Sequence, residues 1–125
     1  MYWLLGRKSK LSLHNKLLLY KAILVPIWTY GIQLWGCAKK TNINIIQRFQ
    51  NKTLRMITDV PWYVNNYTIH KDFKMKYVHE QIKKIAVRHE NKLNDHPNHL
   101  ALNLLNNEDA IRRLKRTNPL DLIHI

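Results

Sequence analysis

For its first 58 residues this chain carries ten lysines and arginines and not one aspartate or glutamate. Such a segment has no local carboxylate with which to neutralise itself. It must fold by burying apolar side chains along one side while its cations stay solvated or meet an anion from elsewhere. Three of the four tryptophans and three of the six tyrosines share the same stretch. From Asp59 onward eleven basic residues face eight acidic ones, so +10 of the formal +13 belongs to the first part. Basic charge interleaved with flat aromatic rings fits a phosphate-bearing partner, which points to a nucleic-acid-facing module whose working side is its N-terminal half.

At 125 residues the chain has material for one hydrophobic core. Its 46% apolar content argues against wholesale disorder in spite of the charge. Three glycines and four prolines are too few for a loop-rich or sandwich fold, so helix is the expected element. Cys37 is the only cysteine, which excludes an internal disulfide or an all-cysteine zinc site. A lone thiol fits a reducing compartment; the location stays unknown, with intracellular, nuclear or cytoplasmic, as the range left open. Arg7, Lys8, Ser9 and Lys10 precede a stretch too polar for a secretory signal core. Residues 22–38 lack formal charge but contain Pro26, Gly31 and Gly36; they read as a buried helix–turn–helix, and no membrane partner is expected.

Leu13, Leu17, Tyr20 and Leu24 recur at helical spacing behind Ser12, a suitable N-cap. Pro26 should end or kink that helix, or open another. Trp28, Ile32 and Trp35 predict a second, apolar helix stopped by Gly36, with Trp28, Tyr30 and Trp35 assigned to the core. A third helix is expected from a cap at Thr41 to about Ile57, with Ile45, Ile46, Phe49, Thr53, Met56 and Ile57 inward. On its other side Arg48, Lys52 and Arg55 step by four and three and line up on one face, with no carboxylate nearby. Residues 60–66 read as a loop carrying two aromatics to bury. Residues 77–93 predict a fourth helix with Val78, Ile82, Ile85 and His89 inward. The expectation is an all-α fold: a small bundle of about four to six helices with a basic, flexible C-terminal tail. Residues 1–58 form a basic helical segment, 59–105 a second helical segment and 106–125 the tail, within one compact unit.

Catalytic patterns are missing. Two-metal chemistry needs converging carboxylates, and the only adjacent pair is Glu108 and Asp109, in a polar stretch near the end. His79 and His89 are each followed by Glu, yet Lys83 and Leu93 stand where a zinc-binding H-E-x-x-H motif needs its second histidine. No glycine-rich phosphate loop is present. No catalytic residue, metal site or cofactor is assigned to this chain.

One resemblance runs through the sequence. Tyr2-Trp3-Leu4-Leu5-Gly6-Arg7-Lys8-Ser9-Lys10-Leu11-Ser12 resembles the region just beyond the polymerase palm in reverse transcriptases of jockey-type non-LTR retrotransposons. Pro26-Ile27-Trp28-Thr29-Tyr30-Gly31-Ile32-Gln33-Leu34-Trp35-Gly36 is the most specific stretch. Gln47-Arg48-Phe49-Gln50-Asn51-Lys52, Pro61-Trp62-Tyr63-Val64 and Arg112-Arg113-Leu114-Lys115-Arg116 continue it in order. The resemblance implies a helical thumb and C-terminal connection region of an RNA-directed DNA polymerase, which closes over the RNA/DNA template–primer duplex and holds its backbone. The implied phosphate contacts are Arg7, Lys8, Lys10, Lys16 and Lys21, followed by Arg48, Lys52 and Arg55. The fingers and palm of such an enzyme, with its paired aspartates and Mg, would lie outside this chain, so the chain alone is expected to be non-catalytic and to partner the missing parts. Val25 stands where relatives are expected to carry lysine. Two alternatives stay open at this point: a non-functional transposon relic, and a basic membrane-surface or interaction protein.

Overall fold

The structure, a computed structural model, describes residues 2–103. Its regular elements are all helical: α1 (Tyr2–Leu5), α2 (Leu13–Leu19), a π-helical turn (Tyr20–Leu24), α3 (Val25–Thr29), α4 (Ile32–Trp35), α5 (Lys40–Thr58), α6 (Asn66–Asp72), α7 (Val78–Asn94) and α8 (His99–Asn103). The all-α expectation holds. The expected tail at 106–125 lies outside the described residues.

The N-terminal helices follow local chemistry closely. Ser12 has an extended backbone, and its hydroxyl accepts the Asn15 N–H at 3.3 Å, so it caps α2 as expected. Pro26 neither ends the helical run nor sits unaccommodated within it. The Val25 N–H reaches back five residues to the Tyr20 carbonyl, and α3 then starts with Pro26 in its first turn. Proline has no N–H and its ring crowds the carbonyl four residues earlier; the wider turn just before it makes room. The predicted helix through Trp28 and Trp35 is instead two pieces. Gly31 takes φ +65, a conformation that costs glycine little, and its carbonyl receives the N–H groups of Leu34 and Trp35 at 2.8 and 3.2 Å. That break corrects one core assignment: Trp28 is buried and Trp35 half-buried, but Tyr30, extended at the break, is 87% exposed.

The chain divides into two compact units, residues 1–30 with 44–78 and residues 31–43 with 79–125. In the first, Leu5, Tyr20, Leu54, Ile57, Ile69 and Met75 form the core, with Leu17, Leu24, Val60 and Val64 among the partly buried residues packed on it. In the second, Ile32, Cys37 and Ile82 are buried. A Cβ on Gly36 there would come 2.5 Å from the Ile32 carbonyl and 3.2 Å from the Ile82 side chain. Along α7, Ile82 is buried, Ile85 and His89 half-buried, and Glu80, Lys83, Lys84 and Lys92 exposed, the pattern the spacing predicts.

The buried face of α5 is rotated from the predicted one. Ile45 and Phe49 are exposed, while Gln50, Thr53, Leu54 and Ile57 are buried. Hydrogen bonds explain how a glutamine comes to lie inside. The Gln50 amide donates to the Lys76 carbonyl at 2.9 Å, and its oxygen accepts from Gln47 at 2.9 Å. Gln47 in turn accepts the Val78 N–H at 2.8 Å and donates to Asn51 at 3.0 Å. Buried His70 extends this spine, with Nδ1 2.9 Å from the Met75 carbonyl and Nε2 2.9 Å from Asn51 Oδ1, and its ring stacks on Tyr77 at 4.0 Å. Four polar side chains thus tie α5 to the segment between α6 and α7, a contact apolar periodicity cannot announce. The chain leaves α6 with Lys74 at φ +50, the Met75 N–H on the His70 carbonyl and the Lys74 N–H on the Lys71 carbonyl, a Schellman closure in which lysine fills a place usually held by glycine.

Candidate nucleic-acid interface

All eight basic residues implied as phosphate contacts fall in the first unit. The structure divides them into two groups. Three are engaged by the protein itself. Lys16 is 7% exposed, and its ammonium donates to the Gly6 carbonyl at 2.9 Å, fastening the turn after α1 to α2. Arg55 is half-buried and turns inward from the outer row it was assigned to; its guanidinium donates to Asn66 Oδ1 at 2.8 Å, to the Val64 carbonyl and, at 3.5 Å, to the Pro61 carbonyl. A planar fork of five N–H donors suits three acceptors converging from one loop. Arg7 is exposed and pairs with Asp59, Nη2 and Nε both reaching Oδ1, at 2.6 and 2.7 Å. So open an ion pair adds little stability, but it occupies the cation.

The other five, Lys8, Lys10, Lys21, Arg48 and Lys52, are exposed. Arg48 and Lys52 sit one helical turn apart on α5, so the outward row predicted there keeps two of its three members. Three further exposed cations, Lys71, Lys74 and Lys76, belong to the same unit. They follow Asp59, outside the acid-free stretch, so sequence order does not group them with the others. Residues 44–78 join residues 1–30, so this unit holds eleven lysines and arginines against two carboxylates, Asp59 and Asp72. Asp59, one of the two, is already taken by Arg7. What remains is a strongly positive body with its cations in water and almost no internal counter-charge.

The same unit displays two aromatics that hydrophobicity alone predicts to be buried. Trp62 is 89% and Tyr63 72% exposed, and their rings meet edge-to-face at 6.1 Å. Tyr20 is the opposite case: fully enclosed beside Gln50 and Trp28. Its hydroxyl finds no well-formed hydrogen bond. Burial pushes its pKa above the ordinary 10.0, and the nearby Gln50 and Trp28 side chains only partly oppose that shift.

Among the described residues no three His, Cys, Asp or Glu side chains gather where they could hold a metal ion. Nor is any helix there long and apolar enough to cross a membrane. An excess of exposed cations of this kind is electrostatically suited to an extended polyanion.

Comparison with known proteins identifies relatives along nearly the whole length. The chain is 48% identical over 122 residues to a probable RNA-directed DNA polymerase from transposon X-element of Drosophila melanogaster, a match covering 98% of this chain and 13% of that protein. It is 46% identical over 114 residues to the probable RNA-directed DNA polymerase from transposon BS of the same species, covering 91% of this chain and 12% of that protein. It is 41% identical over 130 residues to the RNA-directed DNA polymerase from mobile element jockey, covering 98% and 14%. The chain therefore spans about an eighth of the curated relatives it matches. No family model and no solved structure matches it.

Proposed function

We propose that this chain, which corresponds to a small fragment of the RNA-directed DNA polymerases of jockey and related Drosophila transposons, is a non-catalytic thumb-and-connection region that grips the template–primer duplex by its backbone phosphates. The observation that carries this reading is the charge of the first unit: eleven basic residues against two carboxylates. Lys8, Lys10, Lys21, Arg48 and Lys52 are the contacts, and Lys71, Lys74 and Lys76 extend the field. Lys16 and Arg55 act inside the fold, holding the turn after α1 and the loop before α6 so that the helices bearing the contacts keep their shape. Phosphate contacts of this kind carry no sequence information, so the grip is indifferent to base order. Polymer chemistry belongs to the remainder of the full enzyme, and no step of it is assigned to these residues.

The test is duplex binding across a salt series. Five phosphates neutralised on a DNA duplex give a slope of about −4.5 in log K against log salt. Replacing Arg48 and Lys52 with Gln should weaken binding to unrelated sequences alike and flatten the slope by about 2. A duplex affinity that ignores salt contradicts the reading.

A further inference from the structure

The aromatic pair in the loop between α5 and α6 is displayed on a braced support. Val60 and Val64, on either side of it, are packed on the core. The Arg55 guanidinium ties down the Val64 carbonyl and Asn66, and reaches the Pro61 carbonyl at 3.5 Å. The Val64 N–H closes a turn onto Pro61 at 3.2 Å, and Asn65 caps α6 by accepting the Tyr67 N–H at 3.2 Å. With its ends anchored, the loop has only Pro61, Trp62, Tyr63 and Asn65 exposed between Val60 and Asn66. An edge-to-face pair at 6.1 Å covers at most one of its four ring faces, so flat surface stays open to solvent. Tyr67, 60% exposed, adds a third ring in the first turn of α6.

Resting on the nucleic-acid reading above, we propose that Trp62 and Tyr63 form a stacking platform for unpaired bases of a bound strand. Three features select this occupant. The rings offer flat apolar faces; the unit around them is strongly positive, which calls for a partner that is both flat-faced and anionic; and the braced backbone lowers the ordering cost of binding. Bases inside a duplex are already stacked on one another and cannot supply such faces, whereas single-stranded or frayed nucleotides can. The chain would then meet a duplex through its lysines and arginines, and an adjoining single strand through this loop as well.

The experiment compares the full 125-residue chain with the double variant Trp62→Ala/Tyr63→Ala, using fluorescence anisotropy on a labelled oligothymidylate and on a blunt duplex of equal length. Both rings are exposed, so thermal melting should be unchanged. Stacking of one or two bases is worth about a tenfold to hundredfold loss of strand affinity in the double variant. Duplex affinity should stay within about twofold, and Trp62→Phe/Tyr63→Phe should keep most of the strand affinity. Equal losses on both substrates, or no loss on either, overturn the platform. A native chain that binds the strand through these rings but ignores the duplex would overturn the duplex grip and leave the platform standing. A native chain that binds neither overturns both.

Discussion

The two units of this chain carry charge in different ways. Residues 1–30 with 44–78 hold eleven basic side chains and two acidic ones; residues 31–43 with 79–125 hold ten and six. The first unit must overcome its own repulsion. It has a six-residue buried cluster, a glutamine–asparagine–histidine spine and two cations turned onto backbone carbonyls. Among the described residues of the second, Ile32, Cys37 and Ile82 are buried, and α8 has no fully buried residue. A high surplus of one sign destabilises a compact state, so this core has to offset that repulsion. Lys16 and Arg55 brace the fold, and the proposed function gives the exposed cations to a partner.

The contrast can be broken most forcefully at the core. Leu54→Ala, at a fully enclosed position, should cost about 2–5 kcal/mol of stability. Leu100→Ala, at a position 73% exposed, should change it by less than about 0.5 kcal/mol. Chemical denaturation of the two variants measures both, and equal losses would contradict the burial of Leu54 and the exposure of Leu100.

Two arginines sharpen the division between bracing and binding. Arg55→Gln removes charged hydrogen bonds to the loop before α6 and should lower stability by about 2 kcal/mol. Arg48→Gln should leave the melting temperature alone and lower duplex affinity while taking about one unit from the salt slope. Matching behaviour in the two variants would erase the distinction. A smaller effect is expected at Tyr20. Its pKa is raised in the folded state, so its contribution to stability is complete below pH 10 and declines as pH climbs above the unfolded value. Tyr20→Phe should be close to neutral at pH 7 and more resistant than the native chain to alkaline unfolding. Identical alkaline midpoints would remove Tyr20 as a cause.

Much of the fold was legible because it is local. Ser12 caps α2, the spacing along α7 gives its inner face, and the scarcity of glycine and proline points to helix. The misplacements share a physical origin in contacts between residues distant in sequence, or in a single backbone angle. Gln50 lies inside because Lys76, 26 residues on, offers its carbonyl. Lys16 and Arg55 look like surface cations by spacing, yet carbonyls at Gly6 and Val64 draw them in. Tyr30 leaves the core because Gly31 turns the chain at φ +65. For the candidate interface, sequence order grouped the cations of residues 1–58 but missed Lys71, Lys74 and Lys76, which the fold adds to the same unit. Hydrophobicity alone predicts burial for Trp62 and Tyr63; the anchored loop displays them instead.

The central claim is that the exposed cations of the first unit hold nucleic-acid phosphates. Its most direct test is the affinity of the intact chain for a blunt duplex between low and moderate salt. The account predicts a linear decline in log K with a slope of about −4.5 and no preference among sequences. A slope near zero, or no binding even at low salt, would contradict it.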